Sequence, residues 1–270
     1  MLHTIQHLLT SQEIGLFAPL PMQDCHILRP YLLERVGITE GTVIMMAVPY
    51  VSTLHIERNL SLYATVKDYH LYFDRLFAHI LPVLREQFPA HRFAGFADHS
   101  PIDEVDAAAR AGLGVRGDHG LLLTREYSSF VFLGEIITDA ILPAVSAIPG
   151  ECLHCGACCQ KCPVGLDKSR CLSALTQKKS ALTAQEEQML DSHPLIWGCD
   201  TCQLACPYTA EALRRGTLGQ TPPFFREDIL AQLSEQHLEE MDDETFRRRA
   251  YAWRGRNVIL RNIRRKQNHT

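Results

Sequence analysis

Apolar residues along this chain fall into short runs and helical stripes. Residues 42–49 (Thr-Val-Ile-Met-Met-Ala-Val-Pro) form a continuous apolar run of the kind that suits a strand buried on both faces. Residues 129–138 read as another apolar strand, and residues 92–97 as a shorter one leading into Asp98-His99-Ser100-Pro101. Residues 68–88 place Tyr69, Tyr72, Phe73, Leu76, Phe77, Ile80 and Leu84 at helical spacing, with Asp68 as N-cap. Pro82 removes a donor inside that stretch, so a kink or division is expected there. Another helix covers residues 107–111 and ends at Gly112 and Gly114. Strands separated by helices predict an α/β or α+β sheet domain over residues 1–150. Residues 151–210 are polar and cysteine-rich, and Thr183-Ala-Gln-Glu186 reads as a capping box opening a helix. Residues 211–270 are helical in pattern.

The chain has 270 residues, 46% of them hydrophobic, which suffices for a real core and excludes a disordered or collagen-like chain. The longest apolar runs, residues 42–51 and 130–137, are too short to span a bilayer, which needs about 18 to 20 residues. Met1-Leu2-His3-Thr4-Ile5-Gln6-His7 lacks the basic segment and cleavage site of a signal peptide, so a cytoplasmic protein without a membrane partner is expected. The net charge of −4 hides an asymmetry. From Arg247 onward there are nine Lys/Arg and no acid, leaving 18 basic residues against 31 acidic ones elsewhere. Such a block suits a polyanion; the alternative is a helix end whose arginines balance an acidic body.

The cysteines carry the sharpest chemistry. Nine of ten lie between Cys152 and Cys206, and without a secretion signal metal binding is the better reading than disulfides. Cys152, Cys155, Cys158 and Cys162, followed by Pro163, spell C-x2-C-x2-C-x3-C-P, the bacterial ferredoxin pattern, whose fourth cysteine ligates the other cluster. Cys199, Cys202 and Cys206, followed by Pro207, repeat the same ending. Symmetry assigns Cys152, Cys155, Cys158 and Cys206 to one [4Fe–4S] cluster. The second takes Cys162, Cys199 and Cys202, with Cys171 as fourth ligand because it opens a predicted helix between the runs. Cys159 is expected to point away and Cys25 to be a buried small hydrophobe. Two zinc sites are the rival reading. No GxGxxG, P-loop or GxSxG motif is present. From the residues alone, this is an iron–sulfur protein with an attached sheet domain.

Four segments together resemble the epoxyqueuosine reductase family. They are Cys152–Pro163, Arg170-Cys-Leu-Ser-Ala-Leu-Thr176, Trp197-Gly-Cys-Asp-Thr-Cys-Gln-Leu-Ala-Cys-Pro-Tyr208 and Ala97-Asp-His-Ser-Pro-Ile-Asp-Glu104 with its Ala-Ala-Arg-Ala-Gly-Leu-Gly114 continuation. Lys67-Asp-Tyr-His70 and residues 129–139 are similar to two further family segments, so the likeness runs from about Ser61 onward. The resemblance implies an α+β architecture: an α/β cobalamin-binding domain, a ferredoxin-like two-cluster module and a helical basic segment. It implies reduction of the epoxide of epoxyqueuosine, in the anticodon loop of tRNA, to queuosine. Electrons would pass from an external low-potential donor through two [4Fe–4S] clusters to cobalamin. Asp98 maps to the family's general acid, and its pKa is expected to be raised by burial over the corrin. Ser61, Asp98, His119, Leu122, Leu133 and Ser173 are the corrin-facing candidates.

Asp118 stands where the family usually has Lys, and Val105 where it has Arg. The 162–171 loop is shorter than usual, and the chain stops before the C-terminal helical-repeat module of longer members. Two other functions compete: a related cobalamin reductase of a small molecule, similar to reductive dehalogenases, and a non-enzymatic electron carrier.

Overall fold

The computed structural model describes residues 1–54, 57–144, 146–148 and 150–267. Helix α1 (Leu2–Ser11) leads into strand β1 (Phe17–Pro21), helix α2 (Pro30–Val36) and strand β2 (Thr42–Pro49). Helices α3 (Leu62–Thr65) and α4 (Tyr69–Gln87), strand β3 (Phe93–Phe96) and helix α5 (Glu104–Arg110) follow. A small hairpin of β4 (Val115–Arg116) and β5 (Leu122–Leu123) precedes the long strand β6 (Val131–Thr138). The main sheet has the order β1-β2-β6-β3, and every pairing in it is antiparallel. This is an α+β arrangement.

Strand β2 explains its own composition. Ile44, Met46 and Val48 pack with α1 and α4, whereas Val43, Met45 and Ala47 pack on the opposite face with α5. Both alternating sets are therefore apolar, and no residue of β2 is exposed. Helix α4 approaches β6 so closely that a Cβ on Gly134 would lie 2.3 Å from the Phe73 ring. Pro82 does not divide α4, which runs from Tyr69 to Gln87. Proline forfeits one backbone hydrogen bond, but Phe73, Leu76, Ile80, Leu81 and Leu84 on both sides of it share one buried face. Burial of that face, about 1.5–3 kcal/mol per large side chain, outweighs the loss. Helix α5 starts earlier than its alanine run, at Glu104, because Asp103 caps it by accepting from the Asp106 N–H.

The second half is built of short helices: α6 (Ala157–Lys161), α7 (Leu172–Thr176), α8 (Ala184–Ser192), α9 (Thr201–Leu204) and α10 (Pro207–Arg215). Thr183 and Glu186 form the expected capping box of α8. The end of the chain comprises α11 (Glu235–Glu240), α12 (Asp243–Arg247) and α13 (Arg256–Gln267). Its core joins Leu233, Leu238, Phe246, Tyr251 and Ile259 to Leu60, Ala64 and Trp197.

Helix α13 clamps the cysteine-rich segment. Buried Asn262 donates to the carbonyls of Thr176 and Ile196, and Arg261 donates to that of Lys178. Arg256 pairs with Asp243, Arg264 with Glu235 and Arg265 with Asp191. Much of the basic block thus balances nearby acids and carbonyls, the alternative to a polyanion surface.

Candidate active site

Asp98 sits on the turn that leaves β3, with φ +64, a left-handed conformation that is costly for a residue with a Cβ. The turn is held from several sides. Asp98 N–H donates to Glu104 Oε1 at 3.1 Å, and Arg29 donates to the Ser100 carbonyl at 2.7 Å. Ser100 Oγ donates to Glu135 Oε1 at 2.5 Å and accepts from Ile102 N–H at 3.1 Å.

Two clefts meet at this turn. The first, about 480 Å³, is lined by Tyr63, Asp68, Tyr69, His70, Asp98, Gln177, Ala250 and Trp253. The second, about 250 Å³, shares Tyr69 and Asp98 and adds an apolar wall that includes Leu122, Val131, Phe132 and Leu133. That wall exists because the first three residues of β6 are only partly covered, while its last five are buried. Of the corrin-facing candidates, Asp98, Leu122 and Leu133 line these clefts. Ser61 and Ser173 do not; both lie near Tyr63, whose hydroxyl accepts from the Trp197 indole N–H at 2.9 Å. Ser61 is fully buried, because Gly198 lies so close that a Cβ there would meet Ser61 Oγ at 2.0 Å. His119 lies on the β4–β5 turn, where its Nδ1 accepts from Leu121 N–H. The neighbouring Asp118 pairs with His154 at 2.7 Å, inside the first cysteine run.

The chain's own residues around Asp98 act on its charge in the opposite direction to burial over a corrin. His70 lies between two carboxylates, with Nδ1 2.8 Å from Asp68 Oδ1 and Nε2 3.6 Å from Asp98 Oδ2. Asp68 first, then Asp98, raise the imidazole pKa to about 10. The same His70 contact holds Asp98 below the ordinary carboxylate range, and Asp98 is largely exposed, at 67% of its side-chain surface. Within this pair His70 is the group favoured to hold the proton and Asp98 the one favoured to be ionised. Motif position cannot reveal this, because the partner histidine comes from the N-terminus of α4.

Glu135 and Glu104 escaped the sequence reading. Glu135 is 0% exposed, and its carboxyl group faces that of Glu104. Burial first, then the charge of Glu104, push its pKa well up; burial likewise lifts Glu104 to about 7. A carboxyl with a raised folded pKa contributes stability that is whole below its unfolded pKa of about 4.3 and is lost as pH rises through the folded value. Glu135→Gln keeps a neutral hydrogen-bonding group and removes one of these ionisations. Urea unfolding from about pH 5 to pH 8 should show the native chain losing more stability than the variant; parallel profiles would refute the protonated pair.

The cysteines gather in two groups. The Cys206 thiol lies within electrostatic reach of Cys152 and Cys155, and Cys158 within reach of Cys152. Cys202 has Cys199, Cys162 and Cys171 as its neighbours. Cys171 stands at the N-terminus of α7. Cys159 is exposed, and half-buried Cys25 packs against the core below the sheet. The cleft walls connect to these groups: Ser129 donates to Gln203, adjacent to Cys202, and Gln177 belongs to the turn that ends α7.

No family model matches the chain. It is 33% identical over 194 residues to the epoxyqueuosine reductase of Aliivibrio fischeri, covering 69% of this chain and 51% of that one. It is 32% identical over 206 residues to the Listeria monocytogenes epoxyqueuosine reductase, covering 72% and 53%. The chain spans about half the length of these curated relatives. A crystal structure of epoxyqueuosine reductase with an epoxyqueuosine-modified tRNA-Tyr stem loop superposes with a TM-score of 0.75 at 21% identity, covering 99% of this chain and 80% of that one. By its motifs, its sequence relatives and its fold, the chain belongs to the epoxyqueuosine reductase family.

Proposed function

We infer that the chain is an iron–sulfur, cobalamin-dependent oxidoreductase that reduces the epoxide of epoxyqueuosine in a tRNA anticodon loop to the alkene of queuosine. The observation that carries this reading is Asp98 at the junction of two clefts, facing His70, with two four-cysteine groups behind the cleft walls.

In the overall reaction both C–O bonds of the three-membered ring break and a C=C bond forms between its carbons. The oxygen leaves as water after taking two electrons and two protons. The apolar wall of Leu122, Val131, Phe132 and Leu133 fits one face of a broad, flat macrocycle, while Trp197 and Gln177 position Tyr63 on the adjoining wall by donating to its hydroxyl. Cobalamin bound there would supply a low-valent cobalt able to pass electrons singly to the substrate. One [4Fe–4S] cluster would take Cys152, Cys155, Cys158 and Cys206, and the other Cys162, Cys171, Cys199 and Cys202. An external low-potential donor would reload both.

The chain's own residues manage the proton. His70 holds it at Nε2, and Asp98 relays it from Oδ2 toward the departing oxygen. Asp68 orients the imidazole and keeps it charged. Transfer through Asp98 lets a stored proton reach the cleft, although the resting carboxyl is ionised.

Incubating the anaerobically reconstituted chain with cobalamin, a chemical reductant and an epoxyqueuosine-bearing anticodon stem-loop tests the assignment. Mass spectrometry should show loss of one oxygen from the modified nucleoside. Reduction of small epoxides or organohalides with an inert stem-loop would favour the small-molecule reading. Full iron content with no cobalamin absorbance would leave an electron carrier.

A further inference from the structure

The chain has two tryptophans, and they are placed oppositely. Trp197 is 0% exposed, inside the core that joins the chain end to the cysteine module, whereas Trp253 is 58% exposed. Trp253 occupies a short 3-10 turn, Ala252–Arg254, anchored by fully buried Tyr251 against Trp197 and Phe246. A rigid base thus presents a large apolar ring at the rim of the first cleft, on whose lining Asp98 and His70 also lie. The Arg254 guanidinium lies over that ring, 3.6 Å from its centroid. Among the described residues no aromatic ring stacks on the indole. An exposed indole costs hydration free energy, so one braced by a buried neighbour and backed by a cation suits a partner with a π-face of its own.

We propose that Trp253, backed by Arg254, is a stacking platform for a nucleobase of the single-stranded RNA loop that carries the reacting nucleoside to Asp98. The platform rests on the tRNA reading above and adds a recognition subsite to it. A base stacked there is held by its π-face rather than by its edge, so the site tolerates different base identities. Arg254 supplies positive charge beside the same loop.

The test is binding of a fluorescently labelled anticodon stem-loop to the anaerobically reconstituted full chain, across a salt series. Stacking is not a counterion-release contact, whereas phosphate contacts are. Trp253→Ala should weaken binding by roughly 5- to 100-fold at every salt concentration without changing the slope of log affinity against log salt. Trp253→Phe, which keeps a π-face and the packing of the turn, should recover most of the loss. A blunt duplex without a loop should bind the native chain and Trp253→Ala alike. Unchanged stem-loop affinity in Trp253→Ala, a flattened salt slope, or an equal loss for the duplex would each overturn the platform. These outcomes leave the tRNA reading intact if the native chain still reduces the modified stem-loop. A native chain that neither binds nor reduces it would overturn both.

Discussion

Asp98→Asn is expected to slow single-turnover reduction of epoxyqueuosine in a stem-loop by roughly two to four orders of magnitude, the usual worth of a positioned proton-transfer group. Asparagine keeps the size of the side chain and its place at the cleft junction but cannot accept the proton from His70 Nε2. Iron content should be unchanged, because Asp98 is not among the cysteine ligands, and turnover is compared at equal cobalamin occupancy, because Asp98 shares the cleft with the apolar wall. Normal turnover in that variant would remove Asp98 from the reaction. The pH profile carries the finer test. With His70 raised to about 10, the proton store is full at neutral pH and empties only as pH rises through that value. The alkaline limb of the native rate should accordingly lie near pH 10. In His70→Gln it should move far toward acid, because Asp98 must then be protonated directly at an ordinary carboxylate pKa of about 4. Identical limbs in the two proteins would refute the store.

Single alanine substitutions among the cysteines should produce the second large effect. A reconstituted native chain should carry about eight irons, and Cys206→Ala or Cys171→Ala about four or fewer, since under the proposed assignment each would remove a ligand from a different cluster. Loss of a cluster also removes a cross-link that stabilises the folded segment, so both variants should unfold at lower temperature. Cys159→Ala should retain its iron, because Cys159 is exposed and its thiol meets only the Gly165 carbonyl. Iron analysis with electron paramagnetic resonance of the reduced protein separates these cases. Iron lost from Cys159→Ala and kept in Cys171→Ala would exchange the two assignments. About two zinc ions and no iron in the native chain would end the redox reading.

Much of the fold is legible where local signals agree with tertiary demand. Strand β2 is apolar at every position because α4 covers one face and α5 the other, so its continuous run marks it as central. The Thr183 capping box works because both hydrogen bonds form within four residues. Helix α4 continues through Pro82 for the complementary reason: propensity speaks for one turn, whereas the sheet beneath rewards the whole helix. The basic end was legible as a charge count but not as a surface, since Glu235, Asp191 and Asp243 come from elements distant in the chain or folded back beside it.

By itself the sequence determined the chemistry that spacing dictates: the cysteine runs with their proline endings, the family to which the motifs belong, and Asp98 as the residue to watch. Tertiary structure alone decided which groups share a field. It set His70 of α4 against Asp98 of the β3 turn, buried Glu135 of β6 beside Glu104 of α5, and placed Trp253 on the rim of the cleft. The reason is range. Coordination motifs and caps are written over a few consecutive residues, whereas proton affinity and burial depend on every charge and apolar surface within several ångströms, whatever its place in the chain.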